Sequence, residues 1–164
     1  MAVSKLWAIN EGGLSRVLQY AANPKKTNNK LYISGINCEP ETAYEEFTAV
    51  KRSYAKADGI EAYHGYLSFK EQNITPELTM KIGTEFAQEV WGKRFQVLVT
   101  VHTDTEHPHC HFVINSVSFV DGKKLWGEEK AWFKFKQTAD KLCEKYGLYY
   151  NPKPVRGRSS VSYT

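Results

Sequence analysis

Residues 102–115, His-Thr-Asp-Thr-Glu-His-Pro-His-Cys-His-Phe-Val-Ile-Asn, constrain this chain more than any other stretch. Four of its five histidines fall here, between His102 and His111, a density that core packing does not call for. Upstream, Phe95, Val97, Val99 and Val101 alternate with Gln96, Leu98, Thr100 and His102, the period of two of a strand. Downstream, Cys110, Phe112 and Ile114 alternate with His109, His111, Val113 and Asn115. The two segments are expected to pair as a hairpin. His109 and His111 then share a face, and His102 reaches that face from the neighbouring strand. The histidine face is expected to be polar and the opposite one apolar.

Three neutral imidazoles on one divalent ion leave positions open, as a catalytic metal needs, whereas a structural site closes with four ligands. Asp104 is near enough to accept the second N–H of a ligating histidine. His107 precedes Pro108, which biases it to an extended or turn conformation, facing solvent or substrate. A ligand set of His102, His107 and His109 competes with the preferred His102, His109 and His111. Against the bland reading of histidines on an exposed turn stands the spacing of His102, Asp104, Pro108, His109 and His111 on two alternating strands.

At 164 residues the chain suits one domain with a sizeable core. It has no apolar run near 18 residues, and Met1–Asn10 has no long apolar segment, so a cytoplasmic protein without a signal peptide is expected. Cys38, Cys110 and Cys143 are odd in number and lack zinc-ribbon spacing, which predicts free thiols. The net charge of +4 says little alone. Its basic clusters are Lys25, Lys26 and Lys30, then Lys51, Arg52 and Lys56, then Lys153, Arg156 and Arg158. Such clusters are ordinarily solvated surface, and become a nucleic-acid track when a phosphate-handling site lies beside them.

The first strand is expected over residues 3–9 and a helix over 14–22, with Leu14, Val17, Leu18 and Ala21 on one stripe and Tyr20 well off it. A second strand follows at 31–36 and a second helix from Pro40 to Asp58, with Ala43, Phe47, Val50 and Tyr54 inward. Ala62–Phe69 returns to strand, His64, Tyr66 and Ser68 sharing a face. Thr75-Pro76 opens a third helix that runs to Trp91-Gly92. After the histidine strands, Lys123–Trp126 is expected to extend the sheet, and a last helix runs from about Glu129 to Tyr146. One domain is thus read as 1–150, with 151–164 a flexible basic tail or linker stub. The order predicts an α+β fold, a largely antiparallel five-stranded sheet with helices packed on one face and histidines on the other.

Tyr20 is the candidate nucleophile. Its hydroxyl could attack a phosphodiester held at the metal, given activation of a phenol whose ordinary pKa is near 10. With ten tyrosines in the chain, packing or surface roles compete with that reading. Ser68 could donate to a phosphate and Tyr66 stack a base, against the plainer reading of ordinary strand residues. The roles of His64 and Asn115 stay open, a hydrogen bond within the site or structural satisfaction for the latter. Nitrogen ligands favour Mn, Co, Ni or Zn in affinity, and cellular availability brings Mg beside Mn.

The segment from His102 to Asn115 resembles the third motif of the conjugative relaxases, or mobilisation proteins, within the HUH endonuclease superfamily, with Cys110 at the hydrophobic position between two histidines. Leu14 to Thr27 resembles their first motif, whose tyrosine near the N-terminus is the nucleophile. His64 to Phe69 resembles the second, a strand closing in Ser-Phe that contacts DNA near the nick, and Asn115 matches the polar residue that ends the third.

A MobP-type nicking domain is what the resemblance implies. Its activity is metal-dependent, site- and strand-specific nicking and transesterification at an origin of transfer. The implied residues are Tyr20 and Asp104 for catalysis, His102, His109 and His111 for the metal, and Ser68, Tyr66, Lys25 and Lys26 for DNA. His64, His107 and Asn115 remain without fixed roles. Partners would be single-stranded or hairpin DNA, accessory relaxosome proteins and a coupling protein, with no membrane. Relaxases commonly continue into further regions, so the chain resembles a domain excised from a longer protein. The alternatives are a rolling-circle replication initiator or small transposase, with Tyr146, Tyr149 or Tyr150 as nucleophile, a non-enzymatic DNA-binding module, and a metal hydrolase that uses water.

Overall fold

The computed structural model of the protein describes residues 3–28, 31–71, 73–104, 107–125 and 128–150. In chain order these form β1 (Val3–Ile9), α1 (Leu14–Ala21), β2 (Ile33–Ile36), a 3-10 turn (Pro40–Thr42) leading into α2 (Ala43–Ser53), β3 (Ala62–Ser68), α3 (Pro76–Val90), β4 (Val97–His102), β5 (His109–Asn115) and α4 (Glu128–Lys145). The strands make one sheet in the order β1-β3-β5-β4-β2, with every pairing antiparallel. This is the expected α+β class.

Strand alternation divides the apolar residues between two cores. Val97, Val99 and Val101 of β4 and Cys110, Phe112 and Ile114 of β5 face α3 and α4, where Phe86, Trp91 and Phe135 gather around Phe112. On the other face, Leu98 and Val113 meet Leu14, Val17, Leu18 and Ala21 of α1 and Ala43 and Phe47 of α2. Helices therefore cover both faces, and the expected placement on one face is corrected. The cause is local: the apolar stripe of α1 needs an apolar floor, and Leu98 and Val113 supply it within the otherwise polar histidine face.

Element ends follow their capping chemistry. The Thr75 side chain accepts from the Leu78 N–H, with Pro76 at the first turn of α3. After α4, Gly147 takes a positive φ of 71° and the Leu148 N–H donates to the Cys143 carbonyl. Helix α2 stops at Ser53, short of the expected Asp58, because Ala55 turns left-handed at φ 57° and the Lys56 N–H bonds back to the Lys51 carbonyl. The expected extension at 123–126 is a single bridge between Val117 and Lys124, and Trp126 lies outside the described residues. The expected tail, 151–164, also lies outside them. All three cysteines are free thiols, and no described helix is long and apolar enough to cross a membrane.

Candidate active site

Burial of the α1 stripe decides where Tyr20 goes. Leu14, Val17, Leu18 and Ala21 sink into the sheet, while Tyr20, off their stripe, stays 44% exposed at the C-terminal end of the helix. Its ring stands edge-on to three histidines, with centroids 5.3 Å from His102, 5.9 Å from His64 and 6.1 Å from His111. Register brings those histidines together. His102 pairs with His109 and Thr100 with His111 across β4 and β5, and Tyr66 pairs with His111 across β3 and β5. An open cleft of about 170 Å³ results, bounded by Tyr20, Tyr66 and the histidines 102, 109 and 111, with Lys26 and Asp104 at its rim.

Two hydrogen bonds fix the buried rings. His102 Nε2 lies 2.9 Å from the Ala21 carbonyl, which can only accept, so Nε2 carries the proton and Nδ1 the lone pair. The residue next to the tyrosine thus orients the histidine. His64 Nε2 lies 3.2 Å from His111 Nδ1. In the tautomer where His111 donates, its Nε2 keeps a lone pair.

Burial pushes His111 down to about 2 and His64 down to about 4, each helped by the neighbouring His102. It also lowers His102, against the opposing pull of the Ala21 bond and Asp104, and His109, where His107 adds to the shift. All four imidazoles are neutral at pH 7, the state a metal requires of its ligands. His102 and His111 stack with centroids 3.9 Å apart, and among the described residues no three histidine, cysteine or carboxylate side chains stand in ready ligand geometry. The donor chemistry nonetheless fits a divalent ion, because each fixed ring keeps one nitrogen outside its bond.

Several sequence expectations are placed differently. Asp104 is paired with Lys26 at 2.9 Å, which holds its carboxyl below the usual range and keeps Lys26 charged. Lys26 Nζ also lies 5.2 Å from the centre of the Tyr20 ring. Lys25 is exposed on the same loop, and Ser68 ends β3 on the face of Tyr66. His107 is half-buried and does not line the cleft.

Asn115 sits four residues beyond His111 and serves a different network. Its amide donates to the Phe47 carbonyl (3.2 Å) and Gln96 Oε1 (2.9 Å), and its oxygen accepts from Lys51 (3.2 Å). The late tyrosines lie away from the histidines. Tyr146 donates to the Glu85 carboxylate, Tyr146 and Tyr150 pack on the α3–α4 core, and the Tyr149 ring lies beneath Lys70. His64 is the site residue whose place the sequence left open. Its signal was the alternation with Tyr66 and Ser68, but contact with His111 depends on β3 pairing with β5, which one strand does not reveal.

Known proteins resemble the chain over most of its length. The family model "Relaxase: MobA/VirD2-like, nuclease domain" matches residues 20–148. A Staphylococcus aureus protein named Protein rlx is 36% identical over 164 residues, covering all of this chain and 49% of that protein. The group II intron-interrupted relaxase LtrB of Lactococcus lactis is 26% identical over 196 aligned positions, covering 94% of this chain and 34% of LtrB. The chain thus spans about half the length of the first relative and about a third of the second. A chain solved in work on the molecular basis of vancomycin resistance transfer in Staphylococcus aureus shares the fold, with TM-score 0.64 at 13% identity, covering 94% of this chain and 100% of that one. A matched segment that takes in Tyr20, all five histidines and every strand from β2 to β5 leaves one assignment: the chain belongs to the family of MobA/VirD2-like relaxase nuclease domains.

Proposed function

We propose that the protein nicks one strand of DNA at an origin of transfer by transesterification, with Tyr20 as the nucleophile. The observation that carries this reading is the position of Tyr20, exposed at the end of α1 with its ring within 6.1 Å of three neutral histidines. The Tyr20 oxygen forms a bond to the scissile phosphorus and the bond to the 3′ oxygen breaks. The phenol proton is lost, the 3′ oxygen gains one, and the 5′ end remains as a phosphotyrosine diester. One diester replaces another, so a 3′-OH can reverse the reaction.

His102, His109 and His111 would hold a divalent ion, Mn or Mg in the cell and Zn, Co or Ni by nitrogen affinity, which when bound supplies charge to polarise a phosphate oxygen. The Ala21 carbonyl and His64 orient two of these rings. Lys26, held charged by Asp104, stands where it can meet the phosphate, and Lys25 and Ser68 extend that contact. Partners in this reading are single-stranded or hairpin DNA, accessory relaxosome proteins and a coupling protein, in the cytoplasm.

The test is a denaturing gel of protein incubated with Mn²⁺ and a labelled single strand carrying the transfer origin. Wild type is expected to give a covalent protein–DNA band that Tyr20→Phe loses and Tyr66→Phe keeps. A band lost only in Tyr66→Phe moves the nucleophile to the other tyrosine of the cleft. Nicking with no band favours a hydrolase that uses water.

A further inference from the structure

The histidine face is covered unevenly. Helix α1 packs over β4 and β5, and on the same face of β1 and β3 the helix layer reaches the Ile9–Ala62 end and leans to His64 through Tyr20. Toward the other end stand Lys5, Trp7, His64 and Tyr66, because Lys5 pairs with Tyr66 and Trp7 with His64 in the antiparallel register of β1 and β3. Lys5 is exposed, Trp7 and Tyr66 are half-buried, and His64 is buried beneath them. The Trp7 ring lies 4.5 Å from His64 and 6.2 Å from Tyr66, and Lys5 Nζ lies 5.7 Å from the Trp7 ring centre. Tyr66 in turn lines the cleft, its ring 6.1 Å from His111. One aromatic surface therefore runs without interruption from the sheet edge to the site of chemistry, with a lysine at its outer end and Lys26 at its inner end.

A half-buried tryptophan flanked by a tyrosine and a cation suits an occupant that is flat, aromatic and negatively charged. Unpaired nucleotides have all three properties. Base on aromatic ring is worth about 1–3 kcal/mol per base and tolerates any sequence, and the lysine meets the backbone phosphate. Duplex DNA cannot use such a surface, since its bases are stacked on each other. We infer that Trp7 and Tyr66, with Lys5, form a stacking platform for unpaired bases of the DNA strand that flanks the scissile phosphate. This rests on the DNA-nicking reading above, and adds to it where the strand lies as it enters the cleft.

The test uses a fluorescein-labelled 15-nucleotide oligothymidylate, followed by anisotropy without divalent metal, and the same strand carrying 5-iododeoxyuridine for photo-crosslinking. Trp7→Ala is expected to weaken binding about 10-fold, within the range of one lost stack. Trp7→Phe should recover most of that loss, and Lys5→Ala should flatten the salt dependence by about 0.7 in log–log slope. Crosslinks should map to the peptides that carry Trp7 or Tyr66. Unchanged affinity in Trp7→Ala, with crosslinks elsewhere, overturns the platform while leaving the nicking reading intact. Unchanged affinity with a lowered unfolding midpoint overturns it too, and assigns the face to packing within the chain. Failure of wild type to bind the strand at all overturns the sequence-tolerant platform, and leaves the nicking reading to the transfer-origin strand.

Discussion

His64 acts through a single bond at a single nitrogen. With its ring pushed down to about 4 it stays neutral and can accept the His111 Nδ1 proton, which selects the tautomer with a lone pair on Nε2. His64→Leu removes the acceptor and leaves His111 free to take either tautomer, so Mn²⁺ affinity measured by calorimetry should fall about 10- to 100-fold. Gln places a polar atom near the position of Nε2, so His64→Gln should keep most of the affinity. Equal losses in both variants would reduce His64 to a packing residue. The histidine spacing was legible because period-two alternation needs no knowledge of neighbours. The exposure of Tyr20 was legible for a similar reason, from the stripe of α1. The pairing of Asp104 with Lys26 was not, since it joins residues 78 apart in sequence through a loop that carries no periodicity.

At the scale of elements, α3 presses directly on the back of the histidine strand. A β-carbon at Gly83 would run into Cys110 Sγ and come within 3.7 Å of Val99 Cγ1, so glycine is what allows the helix to sit this close. Cys110 is the residue between His109 and His111, and any push there is delivered to the strand that carries both histidines. Gly83→Ala is expected to destabilise the fold by about 1–3 kcal/mol in urea melts. Adding Cys110→Ala should return part of that loss, since the two changes share one contact. Strand bounds were readable to within a residue or two from alternation, as β1 and β3 illustrate. Helix α2 was overrun because Tyr54 extends the apolar stripe of Val50 beyond the last helical residue, Ser53, and the left-handed turn at Ala55 leaves no mark in that stripe. Coverage of the histidine face was missed because Leu98 and Val113 are two apolar positions in a row otherwise polar, and only α1 reveals their purpose.

For the molecule as a whole, the buried ammonium of Lys51 ties α2 to the sheet through the Glu61 carbonyl (3.0 Å) and Asn115. Burial lowers its pKa to about 8, against a smaller opposing pull from Glu61. Below pH 8 both folded and unfolded chains hold the proton, and the cost of burying the charge is felt in full. Between pH 8 and the ordinary lysine value the unfolded chain binds more protons, so stability should rise with pH. The urea midpoint of wild type should therefore gain on that of Lys51→Met from pH 7.5 to 10, and a constant gap would mean that the ammonium is not felt as a buried charge.

The sheet order has one more consequence. Strand β1 pairs with β3, and β2 with β4, but only β5 joins the two pairs, and β5 is the last of the five to leave the ribosome. Until Asn115 has emerged, a nascent chain holds two unconnected strand pairs and no continuous floor for α1 or α3. The strand that brings His109 and His111 is thus the keystone of assembly, and a chain interrupted before it holds neither the five-stranded sheet nor the histidine cleft.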